Sequence, residues 1–252
     1  KVAERLLDAL AKPLILEGHE LVITPSIGIA IAPEDSENVE GLLKHADTAM
    51  YHAKSAGKNN YTFYSSHMNE KGMQRLQLEA ELRRALEQNE LVLHYQPQVN
   101  IHTGKIVGAE AMVRWNHPEH GLIPPLNFIP LAEEMGLIVD LGEWVLTEAC
   151  RQMQDWRARN LSLPKMAVNV SSLQFNHAWF IERIKQALVE TGLDPRVLEL
   201  ELTESVIMNN ADATIEALKE LKQLGVTLSV DDFGTGYSSL NYLSRFPLRS
   251  EE

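Results

Sequence analysis

From residue 91 onward, short apolar strand patterns alternate with longer amphipathic helical patterns. Strands are predicted at 91–98, 105–115, 165–170, 197–203 and 226–231, and helices at 126–135, 144–159, 179–191 and 211–224. This alternation restricts the chain to a mostly parallel sheet with helices on its faces, either doubly wound or closed into a (β/α) barrel. The first 90 residues carry no such series. They read as a helix broken at Pro13, a strand over 21–32, a helix over 39–56 closed by Gly57, a short strand at 61–64 and a charged helix over 68–88.

Side chains on a strand alternate faces with period two, so each predicted strand can be split into its two sides. One side of 106–115 carries Glu110, Met112 and Arg114, and the other carries Val107, Ala109, Ala111, Val113 and Trp115. Asn169 opposes Val168 and Val170; Glu199, Glu201 and Thr203 oppose Leu198, Leu200 and Leu202; Asp231 opposes Leu228 and Val230. Each strand therefore has an apolar face suited to helices and a second face bearing an oxygen donor. A barrel enzyme uses such strands with the apolar faces outward and the working residues at the C-terminal mouth.

The last strand ends in Asp231-Asp232, followed by Phe233-Gly234-Thr235-Gly236-Tyr237-Ser238-Ser239-Leu240. Adjacent carboxylates repel and are costly to bury unless paired or metal-bound. The plain reading is a strand, a polar turn and a helix cap; the sharper one is a pair of cation ligands on a glycine-hinged loop. Glu110, Asn169, Glu201, Asp231 and Asp232 offer only oxygen, which suits Mg²⁺ or Mn²⁺ rather than Zn²⁺. Two such ions about 3.5–4 Å apart are a standard arrangement for in-line phosphodiester cleavage, and Arg114 could grip a phosphate oxygen. Each residue also has a plainer reading: Glu199 and Glu201 on a water-facing edge strand, Asn169 satisfying a loop, Arg114 paired with Glu119. Agreement of four strands in parity weighs against all of these holding together.

Net charge narrows the partners. At −12 over 252 residues, a polyanion-binding surface is disfavoured, and a small anionic substrate would need cations to bring positive charge. Cys150 is the only cysteine, so no intrachain disulfide forms and a reducing cytoplasm is the expected compartment.

At this level of detail residues 81–252 resemble the EAL domain, the cyclic-di-GMP phosphodiesterase family. The matching pieces run in family order: Tyr95-Gln96-Pro97, Glu110-Ala111-Met112-Val113-Arg114-Trp115, His117-Pro118-Glu119-His120-Gly121, Phe128-Ile129-Pro130-Leu131-Ala132-Glu133, Asn169-Val170-Ser171, Glu201-Leu202-Thr203-Glu204-Ser205 and the Asp231–Leu240 run. Residues 1–66 resemble the C-terminal part of a GGDEF domain, the diguanylate cyclase family, through Ser26-Ile27-Gly28-Ile29-Ala30 and the run 46–59. That family's Gly-Gly-Asp/Glu-Glu-Phe hairpin is absent from the sequence, so no cyclase activity is expected of it. Residues 67–80 read as a linking helix.

The resemblance implies an α/β architecture: an incomplete (β/α)₈ TIM-like barrel preceded by part of an α/β GGDEF domain. It implies hydrolysis of cyclic-di-GMP to linear pGpG by a two-metal site using Mg²⁺ or Mn²⁺. By position, Glu110, Asn169, Glu201 and Asp231 are then ligands of the first metal, and Asp231 and Asp232 serve the second and the catalytic step. Gln96 and Arg114 contact substrate, and Glu204 anchors the loop 232–239. The implied partner is cyclic-di-GMP and not a nucleic acid polymer, in a homodimeric parent with an upstream sensory domain, cytoplasmic or held at a membrane by an upstream segment.

Two departures stand out. Glu-Ala-Leu reads Glu110-Ala111-Met112, a nearly volume-conserving change with little expected effect. The family also continues past Arg245-Phe246-Pro247-Leu248 with strands bearing a lysine and a further ligand glutamate. The chain is accordingly expected to be a fragment, unstable and inactive by itself. The rival readings are a barrel that binds cyclic-di-GMP without cleaving it and an unrelated Mg²⁺-dependent barrel enzyme of the enolase type.

Overall fold

Two prolines shape the start of the chain in the computed structural model, which describes residues 1–16, 19–21, 23–57, 59–161, 163–203, 206 and 211–231. Helix α1 (Val2–Leu10) stops before Pro13, and β1 (Leu14–Leu16) pairs antiparallel with β2 (His19–Leu21). The expected strand over 21–32 is instead interrupted before Pro25, which has no N–H to give a ladder: Leu21 ends β2, and β3 runs over Ser26–Ile29. Helix α2 (Val39–Ser55) is capped by Asn38, whose side chain accepts from Gly41 N at 2.7 Å. It packs on β3 and on β4 (Asn60–Phe63), which run parallel. Helix α3 (His67–Glu87) follows. The chain divides into two compact units, Lys1–Leu78 and Glu79–Glu252, and the division falls within α3.

In the second unit, β5 (Leu91–Val99) pairs antiparallel with β6 (Ile106–His117). The residues 100–105 between them are too few for a crossover, and they carry turn chemistry. Asn100 Oδ1 accepts from the N–H groups of His102 and Thr103 at 3.1 and 2.9 Å. A short β7 (Gly121–Ile123) folds back on the end of β6. After α4 (Pro125–Glu134) and α5 (Ile138–Ala158), β8 (Met166–Val170) returns parallel to β6. The short α6 (Ser172–Phe175) and α7 (Phe180–Thr191) lead through a single 3₁₀ turn to β9 (Leu198–Thr203). Helix α8 (Ala211–Leu224) leads to β10 (Thr227–Asp231). Spatial order is β10-β9-β8-β6-β5, with the last four βα strands parallel.

The strand parity read from the sequence is the parity of the fold. Ala109, Ala111, Trp115, Met166, Val168, Val170, Leu198, Leu200, Leu202 and Leu228 are buried. Helix α5 packs on β8 and α7, α7 on α8, and α8 on β10. On β5, Tyr95 meets the α5 residue Trp156 edge-on at 4.7 Å; burial, with Glu148 adding to it, pushes its hydroxyl pKa up. Gln96, next in sequence, consequently lies on the opposite face.

Helix α5 begins at Ile138, a turn and a half earlier than the periodicity from Trp144 indicates. Gly142 obscures the pattern. A Cβ there would collide with the side-chain amide of Gln174, a residue only 6% exposed. The glycine is the concession that lets α6 sit against α5.

Candidate active site

The inner face of the sheet gathers the oxygen donors. Glu110 on β6 is in register with Ala167 on β8, and Asn169, two residues on, is in register with Glu201 on β9. Asn169 Nδ2 donates to Glu110 Oε1 at 2.6 Å. That bond fixes the amide so that Asn169 Oδ1 and Glu110 Oε2 remain as acceptors. Glu201 Oε1 accepts from Gln98 Nε2 at 3.5 Å. Ser229 is in register with Glu201 on the far side, and its buried Oγ has no hydrogen-bond partner among the described residues. Asp231 closes β10 opposite Thr203.

β9 lies between β8 and β10, so Glu199 and Glu201 are not on a water-facing edge. Glu199, 7% exposed, meets Lys165 Nζ at 3.2 Å through Oε2. This ion pair lies one inward position before Glu201 along β9. It was missed in the sequence, although parity already placed Glu199 inward, where a carboxylate needs a partner.

Gln96 stands directly opposite Glu110 in the β5–β6 ladder, on the same face. Arg114 is half-buried; its Nη1 donates to the Val113 carbonyl at 2.8 Å, and Nη2 lies 3.8 Å from Met112 Sδ. Among the described residues it makes no pair with Glu119. Asp232 and Glu204 lie outside the described residues, and so does the loop 232–239.

A second polar group joins two histidines of the 117–121 motif, which had no assigned role, to a glutamate of α3. Glu81, His117 and His120 bring potential ligand atoms within 4.8 Å of one another. His117 Nδ1 accepts from the backbone N–H groups of Glu119 and His120 at 3.1 and 3.2 Å. Its proton therefore sits on Nε2, which donates to Glu81 Oε2 at 3.0 Å. Both ring nitrogens are spent on hydrogen bonds, and a metal at Nε2 would have to displace that proton. This arrangement ties α3 to the end of β6 and does not fit a metal.

The inner face does fit one. Oxygen donors from three strands occupy neighbouring register positions on one face, the second oxygens of Asn169 and Glu110 are not used in their mutual hydrogen bond, and the buried Ser229 hydroxyl on the next strand has no partner among the described residues. Such a donor set is suited to a hard divalent cation.

Parallel strands with outward apolar faces and an inner face of oxygen donors define a barrel-type α/β domain. Residues 79–250 match the EAL domain family, and the chain belongs to it. Residues 1–60 match the family described as diguanylate cyclase, GGDEF domain. Among curated relatives, the chain is 50% identical over 246 residues to "Bifunctional diguanylate cyclase/cyclic di-GMP phosphodiesterase MucR" of Pseudomonas aeruginosa, covering 98% of this chain and 36% of that protein. It is 43% identical over 247 residues to "Cyclic di-GMP phosphodiesterase NbdA" of the same organism, covering 98% of this chain and 32% of that protein. The chain thus spans about a third of the length of these curated relatives. The solved structure "PaMucR Phosphodiesterase, c-di-GMP complex" superposes with a TM-score of 0.66 at 53% identity, over 68% of this chain and 70% of that one. Among the described residues, no helix is long and apolar enough to cross a membrane.

Proposed function

We propose that the protein containing this chain hydrolyses cyclic-di-GMP to linear pGpG. The observation that carries the reading is the contact of Asn169 with Glu110 on the inner face of a chain half identical to a named cyclic-di-GMP phosphodiesterase. Glu110, Asn169, Glu201 and Asp231 would hold one divalent cation, and Asp231 with Asp232 a second. Mg²⁺ or Mn²⁺ so bound supplies positive charge to the phosphodiester and lowers the pKa of a coordinated water. The remaining roles belong to side chains. Arg114 binds a non-bridging phosphate oxygen once its guanidinium swings away from the Val113 carbonyl. Gln96, facing Glu110 across the ladder, orients the substrate by hydrogen bonds. Glu204 anchors the loop 232–239.

By the same reading, 1–66 is the end of a GGDEF-like domain, 67–80 the linking helix and 81–252 part of the EAL domain. The parent is homodimeric, with a sensory domain upstream, and this part of it works in the cytoplasm, free or held at a membrane by an upstream segment.

The test is to incubate the intact gene product with cyclic-di-GMP and Mg²⁺ or Mn²⁺ and separate the products. Metal-dependent appearance of pGpG supports the proposal. Tight binding of cyclic-di-GMP with no pGpG would overturn it in favour of a receptor.

A further inference from the structure

We propose that Gln98 is a positioning residue that holds Glu201 in its cation-binding orientation; the inference rests on the reading of Glu201 as a metal ligand. Three observations place the Gln98 amide. Its Nε2 donates to Glu201 Oε1 at 3.5 Å, linking β5 to β9 with two strands between them. The β5–β6 ladder shifts register between Gln98 and Val99, and such an irregularity re-aims a side chain and is common beside active sites. The residue opposite Gln98 is Gly108, where a Cβ would stand 2.7 Å from Gln98 Oε1 and 3.2 Å from the Lys165 carbonyl oxygen. Any side chain at 108 would crowd the amide, so the glycine keeps room for it.

The chemistry explains why a donor is useful there. A carboxylate ligand has two oxygens, and a hydrogen bond to one of them turns the other toward the cation and limits rotation of the group. Partners that orient ligands in this way change metal affinity by about 10–100-fold when removed. Gln98 is one inward position beyond Gln96 on β5 and serves the metal ligand, where Gln96 serves the substrate.

The experiment measures Mn²⁺ affinity of the intact, chelator-treated protein by the electron paramagnetic resonance signal of free Mn²⁺, beside the melting temperature without metal. Gln98→Met keeps length and loses the donor; Gln98→Asn keeps the amide but falls one methylene short. Both are expected to weaken Mn²⁺ binding by about tenfold or more with the metal-free melting temperature unchanged. Glu201→Gln is the control. If it loses Mn²⁺ affinity while both Gln98 variants bind as wild type, the positioning role is overturned and the metal reading stands. If Glu201→Gln itself binds as wild type, the metal reading fails and the positioning role with it. An affinity loss matched by a fall in the metal-free melting temperature would make Gln98 a packing residue and also overturn the proposal.

Discussion

Asn169 donates Nδ2–H to Glu110 Oε1 across 2.6 Å, joining neighbouring parallel strands on the inner face of the sheet. A donor to a carboxylate relieves part of its charge without neutralising it, and here it leaves each partner one oxygen. Asn169→Asp would replace the donor with a second carboxylate. Two like charges about 4 Å apart repel by about 1–4 kcal/mol at effective dielectrics between those of water and a protein surface. The metal-free variant is therefore expected to melt below wild type, and Mn²⁺ to raise its melting temperature by more than it raises that of wild type. A thermal melt with and without MnCl₂ reads both. Equal metal-induced rises in the two proteins would show that no cation sits between these residues.

Gly142 and Gln174 form a second close relationship, between α5 and α6. Gly142→Ala gains helix propensity but forces a methyl into the buried amide. The net cost is expected at about 1–3 kcal/mol, the range for overpacking a core, measured by urea unfolding. Adding Gln174→Ala removes the collision, and the double variant should be more stable than Gly142→Ala alone. A single variant as stable as wild type would mean that the amide swings aside freely.

Much of this fold was legible because strand parity is a local property. Val168 and Leu200 face helices, and Asn169 and Glu201 the interior, whatever the loops do. The hairpin of β5 and β6 was also within reach, since a gap of 100–105 cannot hold a crossover helix. Which inward residues meet is a different matter. Lys165 reaches Glu199 through the register of β8 on β9, and Gln98 reaches Glu201 across two intervening strands, and no short window of sequence records either. His117 shows the same limit: its motif and its bonds to the N–H groups of Glu119 and His120 are local, but its bond to Glu81 depends on where α3 docks.

Asp194 carries a pH dependence that can be followed at a single residue. Its carboxylate caps the 3₁₀ turn before β9 and meets Arg196 Nη2 at 2.7 Å. Hydrogen bonds from the Arg196 side chain and backbone pull its pKa down from an ordinary 3.8 to about 2. A folded-state pKa below the unfolded value means that the stabilisation is present above the unfolded pKa and fades as pH falls through the folded one. The window is accordingly from pH 3.8 down to about 2. The carboxyl ¹³C titration of Asp194 should have its midpoint near the lower value, and Arg196→Gln should raise it. A wild-type midpoint at the ordinary value would contradict the pairing.

The catalytic cation is expected on the inner face at Glu110, Asn169, Glu201 and Asp231. The most direct test is the anomalous scattering of Mn²⁺ in crystals of the intact protein grown with MnCl₂. A strong peak is expected within coordination distance of Glu110 and Glu201, lost in Glu110→Ala. A peak at Glu81, His117 and His120 instead, or none on the inner face, would contradict this placement.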